Sequence, residues 1–189
     1  MDSNDPREII ADAGKRMDAA TEHVRHELAG VRTGRASVGL LDGVHVEAYG
    51  SPMPLNQVAN LSIPEPTLIV AQPFDASLLS AIEKAIIAAN LGLNPGNDGK
   101  VIRIPVPTLT DERRRDLSRH VHKLSEAGRN AVRQIRRDAN DHLKKLMKNH
   151  EMSEDDERRA LDEVQNLTDQ HVAHIDDLQK KKDHELLEH

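Results

Sequence analysis

The fold of this chain is decided by one stretch, residues 111–149, which is DERRRDLSRHVHKLSEAGRNAVRQIRRDANDHLKKLMKN. It contains no proline, and its apolar residues recur at intervals of three and four, which is the spacing of one face of an α-helix. These positions are Leu117, Val121, Leu124, Gly128, Ala131, Ile135, Ala139, Leu143 and Leu146. Thr110, just before the stretch, is a suitable N-cap. The stretch therefore predicts a single amphipathic helix about 58 Å long at ~1.5 Å per residue.

Two other segments have the same spacing. The upstream segment begins at Asp5-Pro6, ends at Gly30, and carries Ile10, Ala13, Met17, Ala20, Val24 and Leu28. In the downstream segment, Ser153 is placed to cap a helix that carries Leu161, Val164, Thr168, Val172, Ile175, Leu178 and Leu186. Three helices with one apolar stripe each can bury those stripes against one another, so the pattern predicts a three-helix bundle.

The middle of the chain has a different pattern. It holds seven of the nine prolines, and proline is unfavourable inside helices. Three β-rich runs are bounded by glycine or proline, and Asp75 is placed to cap a helix that extends to Ala89. The runs are residues 44–49, 67–71 and 100–104. We therefore expect an α+β protein in which a small α/β domain, similar to a β/α/β sandwich, is inserted into the bundle.

The predicted domain boundaries follow from this insertion. The bundle is formed by residues 1–30 and 106–189, and the inserted domain by residues 31–105. Two adjacent chain crossings restrict the directions in which two domains can swing, so they predict a hinge. Its residues are Gly30 and Val31 on one crossing and Ile104, Pro105, Val106 and Pro107 on the other.

Charge is distributed unevenly along the chain, although the net charge is only -6. Residues 111–150 hold 12 basic and 6 acidic side chains, whereas residues 151–189 hold 5 and 13. At ~100° per residue, eight basic side chains of the long helix fall within about 60° of Arg133, on the side away from the apolar stripe. This basic face consists of Arg115, Arg119, Arg129, Arg133, Arg136, Arg137, Lys144 and Lys148, interrupted mainly by Glu126. Because the guanidinium group suits phosphate, the expected ligand is a nucleic-acid backbone, bound by charge and shape.

The composition excludes several classes of protein. There is no cysteine, which excludes a disulfide framework, an iron–sulfur cluster, cysteine-ligated zinc and a thiol nucleophile. Tyr49 and Phe74 are the only aromatic residues, too few for the stacking platforms of sequence-reading RNA modules. No apolar run approaches the ~20 residues of a membrane span, and the acidic start differs from a signal peptide. We expect a cytoplasmic protein without a membrane partner.

No catalytic residue, metal ligand or cofactor is predicted. Two histidine pairs have a spacing of three, His23 with His26 and His171 with His174. No third histidine clusters with either pair, and zinc normally requires three or four ligands. The glycine-containing loop at residues 92–100 lacks the spacing of a phosphate-binding loop and is expected to end a helix and form a hairpin turn.

Two alternatives remain open at this point. The first is a helical scaffold or chaperone-like interaction protein, in which the stripe of residues 117–146 pairs with another chain as a coiled coil. The second is a metal-dependent hydrolase that uses the histidine pairs.

Six segments of the sequence resemble, in order, those of the ribosome recycling factor family. They are VRTGRAS at 31–37, LDG at 41–43, EKAI at 83–86, DERR at 111–114, RQIRRDAN at 133–140 and VQNLTD at 164–169. One motif alone is weak, but six in register over nearly the whole chain are specific. Thr108 departs from the pattern, since the family usually has another proline there. The terminal Leu187–His189 is expected to be an expression scar.

The resemblance implies a three-helix bundle and a smaller α/β domain arranged as an L with the dimensions of a tRNA. It implies a monomeric, non-enzymatic translation factor that binds the post-termination ribosome between its subunits, with the bundle on large-subunit ribosomal RNA. With elongation factor G, which hydrolyses GTP, such factors separate the subunits. Arg133 is the expected essential RNA contact by its match to the motif. The predicted contact set is Arg119, Arg129, Arg133, Arg136, Arg137 and Lys144.

Overall fold

The computed structural model describes residues 4–187, so the last two residues of the terminal tripeptide lie outside the described part. Its helices are α1 (Pro6–Ala29), α2 (Leu55–Val58), α3 (Leu79–Ala88), α4 (Asp111–Lys148) and α5 (Glu154–Leu187). Its strands are β1 (His45–Ala48), β2 (Ser51–Pro54), β3 (Ala59–Glu65), β4 (Leu68–Pro73), β5 (Gly96–Asn97) and β6 (Ile102–Pro105). The chain divides into two compact units. One unit is Thr33–Thr110, and the other combines the segment that ends at Arg32 with the segment that begins at Asp111. The predicted fold class, a helical bundle with a small sheet domain, is confirmed.

The predicted helix caps are also present. The Asp5 carboxylate accepts a hydrogen bond from the backbone N–H of Arg7 at 2.9 Å, and Pro6 is the first helical residue of α1. Ser153 Oγ accepts from the N–H of Asp156 at 3.1 Å at the start of α5. These bonds satisfy N–H groups that a helix terminus would otherwise leave unpaired, and they fix where each helix begins.

The bundle core lies between α1, α4 and α5. Each helix contributes aliphatic side chains that are almost completely buried, among them Met17, Val24, Val121, Val132, Leu143, Val164 and Ile175. Within residues 4–187, α1 and α5 cover the apolar stripe of α4 that a coiled coil with another chain would use.

Two members of the predicted stripe of α4 are wrong. Ala131 is exposed and Leu124 is only half-buried, whereas Val132 and Ser125 are buried in their place. Each of the two lies one position, or about 100° around the helix, before the residue that is buried. The periodic pattern thus determined the face of α4 but chose the wrong one of two neighbouring positions.

Gly128 marks the closest approach of α4 to α1. A Cβ atom placed on Gly128 would lie 2.1 Å from Cγ2 of Val24. Valine is stiff at χ1 and cannot easily turn away. The glycine is therefore required by helix packing and is not a weak point in the stripe.

The small unit has one aliphatic core shared by two sheets and α3. β1 and β2 form an antiparallel hairpin in which Ala48 pairs with Ser51. The second sheet has the order β3-β4-β6-β5, with every neighbouring pair antiparallel. Ile82 and Ile86 of α3 are buried in the same cluster as side chains from both sheets.

The sequence pattern missed three strands, β2, β3 and β5. β2 contains Pro52 and Pro54, and β3 contains Pro64, which argued against strands. Both strands lie at sheet edges. On the unpaired side of an edge strand, the N–H group that proline lacks is not required by a neighbouring strand. The register of β3 with β4 also shifts between Ser62 and Glu65, as at a bulge.

The second crossing between the units lies later in the chain than predicted. Ile104 and Pro105 belong to β6, and the N–H of Val106 donates to the carbonyl of Thr67 at 2.7 Å. Pro105 is compatible with this strand because β5 pairs only with Ile102 and Arg103, so no partner faces the missing N–H. The connecting segment on this side is therefore residues 107–110, which begins with the exposed Pro107.

The first crossing is closer to its predicted place. Gly30 directly follows α1, and the N–H of Val31 donates to the carbonyl of Leu28 at 3.1 Å. Val31 is buried, and the boundary between the units falls just after Arg32.

Over residues 4–187 no helix combines the length and the apolar composition that crossing a membrane requires.

Candidate nucleic-acid interface

The eight side chains of the basic face lie along α4 and differ in exposure. Five are exposed, namely Arg115, Arg119, Arg137, Lys144 and Lys148. The other three, Arg129, Arg133 and Arg136, are half-buried. The structure thus brings the predicted set together on one helix, with three members partly covered by their surroundings.

The half-buried Arg129 lies where α4 meets α5. Its side chain is only 14% exposed. Its Nε donates to Glu126 Oε2 at 2.8 Å, and its Nη1 donates to Asp176 Oδ1 at 2.8 Å and to Gln179 Oε1 at 3.0 Å. Two carboxylates therefore balance this guanidinium, and its geometry is that of a link between two helices.

Arg133 is joined to the same group of side chains. Its side chain is 38% exposed, and Nη1 donates to Glu126 Oε1 at 3.3 Å and to Asn130 Oδ1 at 3.2 Å. Glu126, which interrupts the basic face in sequence, is thus the bridge between two arginines. We call Glu126, Arg129, Arg133 and Asp176 the central cluster.

The carboxylate of Glu126 is held in its ionised form. The hydrogen bond from Arg129 lowers the pKa of Glu126 most, and the positive charge of Arg129 and the bond from Arg133 lower it further, against a smaller opposing effect of desolvation. The side chain is 52% exposed, so solvent screens these interactions. The cluster fixes the position of Arg133 and at the same time neutralises part of its charge.

Three other members of the predicted contact set have weaker or local partners. Arg136 donates to Gln165 Oε1 of α5 at 3.4 Å, and Arg137 donates to Gln134 Oε1 at 3.5 Å. Both partners are neutral amides, which leave the positive charge uncompensated. Arg119 is paired with Asp116, one turn earlier on the same helix.

The last turns of α4 carry the least compensated positive charge. Arg137, Lys144 and Lys148, which we call the C-terminal cations, make no salt bridge to any residue in 4–187. The first and the last are 11 positions apart, or about 16 Å along the helix at ~1.5 Å per residue. Lys148 and the similarly unpaired, exposed Arg115 were left out of the predicted contact set, although their angular positions on the helix place them on the basic face.

Several acidic side chains near α4 are directed into the seams between helices. Asp138 accepts from Arg16 of α1 at 3.0 Å, and Asp183 of α5 accepts from Ser118 Oγ and lies 2.9 Å from His122 Nε2. The hydrogen bond from Gln134, followed by that from Arg16, lowers the pKa of Asp138. These acids therefore pair with partners within the bundle and not with the C-terminal cations.

One histidine of each pair lies close to an acid or to a backbone carbonyl. His171 Nε2 lies 2.7 Å from Asp18 Oδ1 and its Nδ1 lies 2.6 Å from the carbonyl of Leu167, while His23 Nε2 lies 3.9 Å from Glu27. Within the described residues, no three histidine or acidic side chains converge as a metal site would require.

The glycine-containing loop at residues 92–100 forms the predicted hairpin turn, whereas α3 already ends at Ala88. Asp98 Oδ1 accepts from the N–H groups of Lys100 and Val101 at 2.9 Å, and these bonds lower the pKa of Asp98. The turn connects β5 to β6. Its backbone donors thus bond within the loop, which differs from a phosphate-binding loop.

The fold and this face define a class: a two-unit α+β protein whose longest helix carries a one-sided cationic surface. The family model for ribosome recycling factor matches residues 24–187. The ribosome-recycling factor of Geobacillus kaustophilus is 52% identical over 182 residues, which cover 96% of this chain and 98% of that protein. The chain belongs to the ribosome recycling factor family.

Solved structures agree with this assignment. The chain is similar to a solution structure of a ribosome recycling factor, with a TM-score of 0.75 and 42% identity, covering 96% of this chain and 97% of the other. It is also similar to a structure described as the T. thermophilus ribosome recycling factor and the E. coli elongation factor G bound to the E. coli post-termination complex. That match has a TM-score of 0.63 and 46% identity, and covers 97% of this chain and 99% of the other.

Proposed function

We propose that this chain is a cytoplasmic, non-enzymatic translation factor that separates the post-termination ribosome into subunits together with elongation factor G and its GTP hydrolysis. Its family membership supports this role, as does its similarity to a recycling factor placed with elongation factor G on a post-termination complex. The protein itself supplies binding surfaces, and the GTPase partner supplies the chemical energy.

The basic face of α4 is proposed to bind large-subunit ribosomal RNA. The observation that supports this most directly is the absence of a salt bridge at Arg137, Lys144 and Lys148 among residues 4–187, while nearby acids pair across helix seams. Unpaired cations on a rigid helix attract phosphates and release counterions when they bind. Arg133 and Arg136 extend this surface, whereas Arg129 contributes mainly by holding the cluster in place.

The small unit, Thr33–Thr110, is proposed to move about the two chain crossings when the GTPase partner acts on it. The segments that connect the units are residues 30–33 and 107–110, since Ile104 and Pro105 belong to β6 and the N–H of Val106 bonds to Thr67. The chain has no cysteine, so a cross-link between cysteines introduced into the two units would be selective. A locked protein is expected to bind ribosomes but not to split them, and full splitting by it would overturn the proposed motion.

The RNA contact can be tested with two adjacent lysines. Lys144 lies on the basic face, whereas Lys145 is rotated by about 100° and borders a groove with Asp138 and Asp141. Co-sedimentation with ribosomes over a salt series should show weaker binding by Lys144→Ala and a salt slope smaller by about one counterion. Arg133→Ala should have a similar effect on the slope.

Lys145→Ala is the matched control, with the same loss of charge on the next residue of the same helix. Circular dichroism should show unchanged helicity for all three variants. Equal effects of the two lysine substitutions on the slope would mean that only net charge matters, and would overturn the assignment of the face.

A further inference from the structure

Both aromatic side chains of the protein lie on the surface of the small unit. Tyr49 is 74% exposed and Phe74 is 68% exposed. The core of the same unit is built from aliphatic side chains such as Ile69, Ile82 and Ile102. Aromatic rings gain much from burial, so exposure of both at once is an informative departure from the usual distribution.

The two residues are joined through Asp75. The Tyr49 hydroxyl donates to Asp75 Oδ2 at 2.9 Å, and Phe74 is the residue before Asp75 in the chain. Asp75 Oδ1 in turn accepts from the N–H and the hydroxyl of Ser77 at 2.9 and 2.7 Å. The bonds from Ser77 first, and from Tyr49 after them, lower the pKa of Asp75, which stays ionised. We call Tyr49, Phe74 and Asp75 the aromatic tip.

The backbone holds this tip in one arrangement. Tyr49 and Gly50 form the two-residue turn between β1 and β2, with φ of 53° and 83°, the conformation that such hairpins favour. For a residue as large as tyrosine a positive φ is a strained conformation, of the kind often found at functional positions. The N–H of Phe74 donates to the carbonyl of Val58 at 3.0 Å. The backbone at both residues and the Tyr49 hydroxyl are thus held before binding, which reduces the entropy lost when a partner arrives.

Local charge favours a protein over RNA as the partner. The small unit, residues 33–110, has four basic and six acidic side chains, and the ionised Asp75 is next to Phe74. RNA that stacks its bases on aromatic rings also requires cations near its phosphates. Protein interfaces, in contrast, are enriched in exposed tyrosine and phenylalanine that enter apolar pockets. The complementary surface is an apolar pocket edged by a basic side chain that faces Asp75.

We propose that the aromatic tip is the docking surface for elongation factor G. This inference rests on the proposed function, in which the basic face of α4 holds the ribosomal RNA. The unit that moves must be contacted by the partner that drives the motion, and the tip is the rigid, exposed aromatic feature of that unit. The GTPase partner therefore presents the pocket and the basic edge.

The test measures ribosome splitting while the concentration of elongation factor G is varied at fixed GTP. Phe74→Ala should raise the concentration needed for half-maximal splitting about tenfold, as for a central interface residue, and the double variant with Tyr49→Ala should raise it further. Tyr49→Phe retains the ring and should be close to wild type. Asp75→Asn keeps the cap but removes the charge, and should have an intermediate effect.

Ile87→Ala is the matched control, because Ile87 is an equally exposed apolar residue of the same unit at 57%. Ile87→Ala should leave the concentration of elongation factor G needed for half-maximal splitting unchanged. Binding of all variants to ribosomes without elongation factor G should also be unchanged, and thermal melts should match, since none of these side chains belongs to the core.

The outcomes separate the inference from the proposed function. If wild-type protein splits ribosomes and the double variant has the same requirement for elongation factor G, the docking surface is overturned while the function stands. If the double variant loses ribosome binding in the absence of the partner, the rings contact the ribosome instead, and the inference is also overturned. A wild-type protein that neither binds nor splits ribosomes overturns both.

Discussion

The centre of α4 and its last turns carry the same kind of side chain but use it differently. In the central cluster, carboxylates of Glu126 and Asp176 meet the arginines at 2.8 to 3.3 Å. The C-terminal cations have no such partner within residues 4–187. Positive charge at the centre therefore helps to hold the bundle together, whereas positive charge at the end remains available to an anion. A count of basic residues along a helix cannot distinguish these two uses.

The largest effect is expected at the centre, from Gly128→Ala. The added Cβ would lie 2.1 Å from Val24 Cγ2, so α1 and α4 would have to separate. Overpacking of this kind costs about 1–3 kcal/mol. A thermal or urea denaturation experiment should show this loss of stability, without a direct effect on the C-terminal cations.

Val24→Ala provides a control for this interpretation. It removes the methyl group that the new Cβ would meet, so the double variant should be more stable than the sum of the two single losses predicts. Simple additivity would show that the loss comes from some other cause than the contact of α1 with α4.

The next effect in size is expected from Arg129→Ala. It removes the half-buried guanidinium that joins α4 to α5 and leaves Asp176 and Glu126 without their partner. Hydrogen bonds to charged groups contribute about 1.5–3 kcal/mol, and partial exposure places the expected loss near the lower end, about 1–2 kcal/mol. Chemical denaturation measures it.

Arg137→Ala is the matched comparison in the last turns. Its hydrogen bond to Gln134 is long and goes to a neutral amide, so the effect of the substitution on stability should stay within about 0.5 kcal/mol. Its effect on ribosome binding should be larger than that of Arg129→Ala. If Arg137→Ala lowered stability more than Arg129→Ala and weakened ribosome binding less, the centre and the last turns of α4 would not differ in the way described.

The sequence was sufficient where regular periodicity determines structure. The three long helices, their caps at Asp5 and Ser153, and the position of the basic face all follow from spacing and capping chemistry. It was insufficient where tertiary context overrides local pattern. Strands with Pro52 or Pro64 are compatible with the sheets because they lie at sheet edges. Val106, which follows the last residue of β6, is buried and bonds through its N–H to Thr67, although it lies between two prolines.

The same limit applies to the candidate site. Angles on a helical wheel placed Arg129 and Lys144 on one face, but they contain no information about α5. Only the structure shows that Asp176 lies against Arg129 and that no acid among residues 4–187 forms a salt bridge with Lys144. The exposure of Tyr49 and Phe74 could not be predicted either, because composition gives the number of aromatic residues and not whether they are buried.

The smallest effect, and the most direct test of the comparison, is expected from Glu126→Gln. Removing this carboxylate leaves Arg133 uncompensated and makes the centre resemble the last turns. Exposed ion pairs are weak because solvent screens them, so affinity for ribosomes at low salt should rise only about two- to threefold. Co-sedimentation in a salt series measures this rise, which should disappear at high salt, where exposed charges are screened.

The pH dependence provides an independent check on the same carboxylate. The folded-state pKa of Glu126 is lowered from an ordinary value of 4.5, so its ion pairs contribute stability that is fully present above that value. This contribution is lost as the pH falls from about 4.5 through the folded-state pKa. Glu126→Gln lacks this group and should lose stability less steeply in that range. Suppose that the two proteins have the same dependence of stability on pH and the same affinity for ribosomes. Glu126 then does not compensate the charge of Arg133, and the centre of α4 is as accessible to an anion as its last turns.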